Sequence, residues 1–362
     1  MAVANVLQND VASPVANVAN VAAPEDLVTR QVNVANVITQ VSKNGADEVR
    51  KVRPVRPMVR TIKKVVASTT TVLQTGQTPL EREVESIEGL RRFSQKPPAE
   101  VSGRVSVLTP TTASRARFHE QLWQCFVDQS WPDKELVVVE TYTKKEKLSV
   151  VFTKLLKAKE KRLKYLGIQV AENDDLTVGA KRNMTVLMCS GQYCVNFDDD
   201  DLYATVYVER MVNELRQRSL VALTLSAWHN FFESNCRCGY STPACWEPED
   251  EEEYEGILYG YGFSYVYLRA LALSFPYPNL GFAEDAPFML KLREKMGAGR
   301  VGLKEDMEGL CLHIVHPSSS TPDPEIETML TEDELNGLVV SDCTACRLHL
   351  KRPWFPSIWS TC

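Results

Sequence analysis

Residues 191–203 read Gly-Gln-Tyr-Cys-Val-Asn-Phe-Asp-Asp-Asp-Asp-Leu-Tyr, a short apolar segment that runs into four consecutive aspartates. If residues 193–197 form a strand, its period of two sends Asp198 and Asp200 to one side and Asp199 and Asp201 to the other. Two carboxylates then converge on one point. Like charges that close resist joint ionisation, and a divalent cation lets both stay charged; their hard oxygens suit Mg²⁺ or Mn²⁺. A cation held this way can bind a diphosphate.

Plainer readings stand beside this one. Asp201 precedes a segment in which Val208, Met211, Val212 and Leu215 share a helical face, so it is expected to cap that helix. A calcium hand would use Asp198, Asp200 and Glu209 at loop positions one, three and twelve. Leu202 and Tyr203 stand where that loop needs a ligand and a glycine, which excludes it. A solvated acidic loop is the remaining alternative, and the apolar run leading into the cluster favours a strand end at a cleft instead.

A chain of 362 residues, 44% of them hydrophobic, can bury one large core or two ordinary ones. Its formal net charge of -6 argues against general nucleic-acid binding, which needs a basic face. No Lys or Arg precedes Arg30, so neither a signal peptide nor an Arg-rich transit peptide is expected, and no uncharged apolar run reaches membrane-spanning length. The ten cysteines then read as mostly reduced, buried thiols in a cytoplasmic protein.

Residues 1–76 differ from the rest. Val-Ala-Asn-Val recurs at 3–6, 15–18, 18–21 and 34–37, and there are no aromatics. This composition predicts a disordered extension, or a tail that orders only on a partner. Its later part is basic, with Arg-Pro-Val-Arg-Pro at 53–57 and Lys63-Lys64. A helix-and-linker segment follows at 77–103, where Thr78, Pro79 and Glu81 form a helix start leading to about Phe93. From Arg104 the pattern becomes strand, helix, strand: Val-Ser-Val-Leu-Thr at 105–109, Phe118, Leu122 and Phe126 at helical spacing, then Glu-Leu-Val-Val-Val-Glu at 135–140. The unbroken run from Val137 to Val139 suits a strand buried on both faces of a parallel sheet, so the domain is α/β. Ligands of such sheets bind beyond the carboxyl ends of the strands, here at 109–115, at 140–143 and at the aspartates. The Lys-rich residues 144–164 read as a helix with a solvated face. Gly-Ala-Lys-Arg-Asn at 179–183 opens another helix, whose free amides, with Lys181 and Arg182, suit a phosphate.

Together these pieces resemble the family 2 glycosyltransferases over about residues 105–320. Val-Ser-Val-Leu-Thr-Pro-Thr-Thr-Ala-Ser-Arg at 105–115 is similar to the family's first strand ending in Pro-Thr and an Arg. Gln-Ser-Trp-Pro at 129–132 with the strand at 135–139, and the segments 179–183 and 191–193, follow in the family's order. Asp198, Asp199 and Asp200 fall on its Asp-x-Asp, Glu284-Asp285 on its Glu-Asp pair, and His-Ile-Val-His at 313–316 on the segment with its late His. Glu140-Thr141 departs from the acidic pair usual after the second strand.

The resemblance implies a GT-A fold, with a mixed, mainly parallel sheet flanked by helices over 104–320 and a C-terminal extension over 321–362. It also implies a metal-dependent inverting transferase acting on a nucleotide-sugar donor and an acceptor hydroxyl. Pro110, Thr111, Arg115, Glu140, Arg182, Asp198 and Asp199 would bind the donor, with Asp198 at the ribose. Asp198, Asp200 and His316 would hold Mn²⁺ or Mg²⁺. Asp285, with Glu284 beside it, would be the general base, and its plainer role is to cap the helix that follows. A catalytically silent scaffold whose tail recruits a partner is the rival reading, and a nucleotidyltransferase a weaker third.

Two further motifs are set aside. Gly297, Gly299 and Gly302 match a dinucleotide fingerprint but follow a helix, so they read as a helix stop. Cys236, Cys238 and Cys245 near His229, and Cys343 with Cys346, lack a clean second half for zinc. The acidic run 247–255 reads as a solvated loop or a lid beside Tyr254 and Tyr259.

Overall fold

The computed structural model of the chain describes residues 97–245, 251–317 and 328–342, with 319, 326 and 344. The repetitive segment 1–76, the helix expected at 78–93 and the pair Cys343 and Cys346 lie outside the described residues. The elements run β1 (Val101–Thr112), a 3-10 turn (Ala113–Phe118), α1 (His119–Asp128), β2 (Lys134–Tyr142), α2 (Val150–Lys157), β3 (Leu163–Gln169), α3 (Val178–Met188) and β4 (Gly191–Asn196). Beyond the aspartates come β5 (Leu202–Tyr203), α4 (Tyr207–Gln217), β6 (Ala222–Phe232), β7 (Arg237–Ser241), α5 (Glu251–Tyr259), β8 (Val266–Leu268) and α6 (Arg269–Ser274). The described part closes with α7 (Asp285–Met296), β9 (Val301–Glu305), β10 (Cys311–Val315), β11 (Thr328–Met329) and α8 (Glu332–Gly337).

Strands β3, β2, β1 and β4 lie side by side and parallel. Antiparallel β8 joins β4 to β6, and β6 carries parallel β9 along its first half and parallel β10 along its second. A register shift between Leu225 and Ala227 separates those halves. The sheet ends in β7 and β11, so it takes in residues 328–329, beyond the boundary expected at 320.

Both faces are covered, which is why the valine run of β2 does not alternate with polar residues. Val105, Val107, Leu136 and Val138 pack on one face with Leu122 and Phe126 of α1, Phe152 of α2, and Met211 and Val212 of α4. Leu108, Val137 and Val139 pack on the other with Met184 of α3 and Phe288 and Met289 of α7. The helical face expected at Phe118, Leu122 and Phe126 is fully buried. Burying a side chain of that size contributes about 1.5–3 kcal/mol relative to exposure.

The Lys-rich stretch is less helical than its spacing implied. Ser149 caps α2 by accepting from Phe152 N, and the chain leaves the helix at Lys159 in a left-handed turn with φ of 58°. Residues 163–169 then extend as β3, because pairing with β2 satisfies their backbone groups. Gly297, with φ of 92°, terminates α7 as expected. Among the described residues no helix is long and apolar enough to cross a membrane. Among the described residues no three His, Cys, Asp and Glu side chains gather as a metal site, and this holds for Cys236, Cys238, Cys245 and His229.

His229 instead lies in the sheet, its ring 4.8 Å from that of Tyr240 and its Nδ1 without a partner. Burial lowers its pKa to about 4, below the ordinary histidine value of 6.5. The unfolded chain therefore takes up a proton that the folded one refuses, so this group's contribution to stability is present above pH 6.5 and is lost as pH falls towards 4. Replacing His229 with Gln should flatten the acid limb of a stability profile measured by urea unfolding. An unchanged slope over that window would show that the ring is protonated inside the fold.

Candidate active site

The apolar half of the 191–203 stretch becomes β4 through pairing with β1, and Thr109 Oγ1 continues the contact by donating to Phe197 O at 2.9 Å. The chain then turns. Phe197 stacks on Tyr203 with ring centroids 3.7 Å apart, closing the loop that carries the four aspartates. The Tyr203 hydroxyl accepts from Asp198 N at 2.9 Å and donates to Phe263 O at 3.0 Å. Gln121 on α1 donates its Nε2 to the carbonyls of Asp200 and Asp201, at 2.9 and 3.3 Å. With the backbone pinned in a turn, the carboxylates do not keep the two-sided alternation of an extended strand, and Asp199 and Asp200 both reach Arg115 Nη2.

Their partners come from several elements. Asp198, 32% exposed, lies 3.4 Å from Nη2 of Arg182 on α3. Asp199, buried, accepts from Arg115 Nε at 2.7 Å and from the Thr111 hydroxyl. Asp200 accepts from His316 Nε2 at 2.9 Å and also pairs with Arg115 Nη2. Burial opposes the charge on Asp200, but His316 and Arg115 outweigh it and hold this carboxyl below the ordinary carboxylate range. Asp201, fully buried, accepts from Ile314 N at 2.9 Å and pairs with His313 Nδ1 at 2.9 Å. Burial alone would lower the His313 pKa, yet the Asp201 charge raises it to about 9.

Asp201 therefore does not cap the following helix. The N-cap of α4 is Val206, because β5 intervenes and carries the helix start away. The carboxylate anchors β10 to the turn instead. That bond places His316, the first residue past β10, against Asp200. The His316 ring also stacks on Phe118 at 4.9 Å.

A second network meets the first at Arg182. Its Nε donates to Glu284 Oε1 at 2.8 Å, its Nη2 faces Asp198, and its buried Nη1 has no partner. Asp285, next to Glu284, accepts from Gly262 N at 2.8 Å. A Cβ on Gly262 would lie 2.6 Å from that carboxylate, so the close approach requires glycine. Asp285 is the first residue of α7 and makes no capping bond, since the N-cap is Glu284. Burial, then the Glu284 charge, push the Asp285 pKa well above its ordinary value, against the pull of Arg182.

The remaining expected residues are placed as follows. Thr111 is buried beside Asp199, its hydroxyl 3.0 Å from His119 Nε2, while Pro110 pairs with Val139 within the sheet. Glu140 stands apart: its carboxylate accepts from Ser149 N at 3.1 Å and from the Tyr165 hydroxyl. The amides expected to be free at the start of α3 are used, Ala180 N by the Thr177 hydroxyl and Gly179 N by Leu280 O at 3.0 Å. A Cβ on Gly179 would lie 1.9 Å from Pro278 O, so that glycine serves loop packing. Lys181 donates to Thr141 Oγ1 and Asp175, at 2.7 and 2.8 Å. Beside it a cavity of about 180 Å³ opens at the carboxyl ends of β1 and β2, lined by Thr112, Thr141, Tyr142, Thr143, Asn173 and Asp175 among others.

Sequence reasoning missed Gln121, His119, Tyr203 and His313. The one usable signal was the pair of aromatics, Phe197 and Tyr203, flanking the acidic run.

Acidic and basic side chains gather past the carboxyl edge of this mixed, mainly parallel sheet, which is where open α/β sheets bind their ligands. Residues 106–247 match the model of glycosyl transferase family 2. No curated protein matches at the sequence level. Among solved structures, S. aureus TarS 1-349 in complex with UDP-GlcNAc is similar at 18% identity and a TM-score of 0.44, covering 60% of this chain and 61% of that one. The chain thus spans less than two thirds of that fragment's length. PcManGT from Pyrobaculum calidifontis, in complex with GDP-Man and Mn²⁺, aligns at 17% identity over 72% of this chain and 70% of its own, with a TM-score of 0.42. Glucosyl-3-phosphoglycerate synthase from Mycobacterium tuberculosis aligns at 12% identity over 71% and 81%, with a TM-score of 0.37.

Removing one partner of a buried ion pair strands the other, at a cost of about 3–5 kcal/mol. Asp201→Ala should destabilise the domain by an amount near the lower end of that range, read by denaturant unfolding. A variant as stable as the parent would show that β10 does not depend on this carboxylate.

Proposed function

We propose that this domain transfers a sugar from a nucleotide-sugar donor to an acceptor hydroxyl, with inversion and with the help of Mn²⁺ or Mg²⁺. The observation that carries the reading is the bridge at Arg182, which joins Asp198 of the acidic turn to Glu284, the residue next to Asp285. Groups suited to a diphosphate and a group suited to an acceptor proton thereby meet at one arginine, which lies in the segment that matches the family 2 model.

The donor set fits a hard divalent cation. Asp200 and His316 already meet at 2.9 Å, and Asp198 is open enough to join them. A cation held here by one or two carboxylates would have the substrate's phosphates complete its set. Such a cation supplies charge neutralisation to the departing nucleoside diphosphate. The chain's own residues do the rest. Arg182 presents an unpartnered, buried Nη1 as a donor for an anionic oxygen, and the cavity at the ends of β1 and β2 would take the nucleoside. Thr111 and Arg115 fix Asp199, and through it the turn. Asp285, held by Gly262 N, takes the proton from the acceptor hydroxyl, and its raised pKa is the direction a general base needs. A single in-line displacement then inverts the sugar carbon.

Two variants test this reading. Asp200→Ala should abolish metal-dependent nucleotide binding and leave the fold intact, because Asp199 remains as a partner for Arg115. Titration calorimetry with nucleoside diphosphates and Mn²⁺ measures it, and unchanged affinity would move the cation site elsewhere. Asp285→Asn keeps shape and the ability to accept from Gly262 N but cannot take up the proton, so turnover should fall by about 10² to 10⁴. Donor affinity and melting temperature should stay close to wild type. Transfer rates, once a nucleotide-sugar screen has found the donor, decide between this and a silent scaffold; near wild-type transfer by the Asn variant removes Asp285 from the mechanism.

A further inference from the structure

Asp200 Oδ2 is claimed from two sides, by His316 Nε2 at 2.9 Å and by Nη2 of Arg115. The same Nη2 lies 2.6 Å from Asp199 Oδ1, while Arg115 Nε reaches both Asp199 oxygens, at 2.7 and 3.0 Å. Arg115 therefore grips Asp199 with a fork and Asp200 with one corner. It rises from the short 3-10 turn after β1, its side chain is 26% exposed, and its guanidinium carbon lies 5.2 Å from the Phe118 ring. That ring carries His316 on it. An arginine cannot shed its proton and has no acceptor, so the only way it can yield an oxygen is to move.

We propose that Arg115 is an internal cation that competes with the divalent cation for Asp200, and that a bound diphosphate relieves the competition by drawing Arg115 onto its own oxygens. The inference rests on the metal reading above and goes beyond it, since that reading makes Asp200 a ligand and leaves Arg115 a passive clamp. Three observations carry it. The oxygen at issue is the one that also faces His316, so a cation using Asp200 and His316 together must enter where Nη2 now donates. The Asp200 contact is a single corner, whereas the Asp199 contacts tether the arm and keep it at the site after it lets go. A planar guanidinium also has a better use close by, because phosphate oxygens accept its fork bidentately. A singly charged group and a divalent ion that share one carboxylate repel each other strongly even in a wet cleft. The cation alone should thus bind weakly, and the cation with a nucleoside diphosphate far more tightly.

The test uses the full chain and Mn²⁺ as the probe, with free Mn²⁺ followed by electron paramagnetic resonance at constant ionic strength. Arg115→Gln should bind Mn²⁺ alone about tenfold or more tightly than wild type, the order expected for removing one positive charge from such a distance. The same variant should bind a nucleoside diphosphate more weakly at saturating Mn²⁺. Opposite signs for the two ligands are the signature. Arg117→Gln removes an equal charge two residues away and should leave Mn²⁺ affinity unchanged; if it matches Arg115→Gln, the effect is general charge and the proposal fails. If wild type binds Mn²⁺ and Arg115→Gln binds it no more tightly, the proposal falls and the metal reading stands. If neither protein binds Mn²⁺ with or without nucleotide, both fall. Should Arg115→Gln not fold, Arg115→Lys serves, because a compact ammonium cannot grip both carboxylates. It should bind Mn²⁺ more tightly than wild type, and unchanged affinity would overturn the proposal.

Discussion

Four adjacent carboxylates in one turn is the constraint on which the rest of the site depends. Left together they would repel one another and pay for desolvation as well, so each must find a partner. Asp198 meets α3, Asp199 the turn after β1, Asp200 both that turn's Arg115 and the residue after β10, and Asp201 β10 itself. Elements distant in sequence are thereby held at one point. Asp201 and Ile314 are separated by 113 residues, and the bond between them is buried.

The sheet makes such convergence affordable. Strands β3, β2, β1 and β4 are parallel, so the groups past their carboxyl ends lie on one edge, and β6 extends that edge by carrying β10 along its second half. The register shift at Leu225 and Ala227 lets a single strand serve two neighbours in turn. Polar backbone groups in the acidic turn are taken up by Gln121 and Tyr203, so the carboxylates make their contacts with other elements.

Charge is distributed unevenly across the cleft. Asp199, Asp200 and Asp201 are locked in buried or nearly buried pairs, whereas Asp198 keeps about a third of its surface open. Asp285 accepts from a backbone amide, and burial together with the neighbouring Glu284 charge raises its proton affinity.

Local patterns were enough to read several features. The β-branched run of β2, the helical face at Phe118, Leu122 and Phe126, and the helix stop at Gly297 all follow from periodicity or local turn signals, which are properties of neighbouring residues. The partners of the charged residues do not follow. Asp201 has the sequence context of a helix cap, but β5 separates it from α4 and a backbone amide of β10 takes its carboxylate. Glu140 sits where a strand end meets ligands, yet Ser149 and Tyr165 occupy it. Lysines at 144–164 carry helical spacing, but the helix covers only 150–157 and pairing with β2 turns the chain into a strand from Leu163. In each case a short-range preference of a few tenths to about 1 kcal/mol competes with a buried hydrogen bond or a ladder contact to a residue far along the chain. Such contacts exist only once the sheet has brought the two segments together, so the tertiary structure alone decides them.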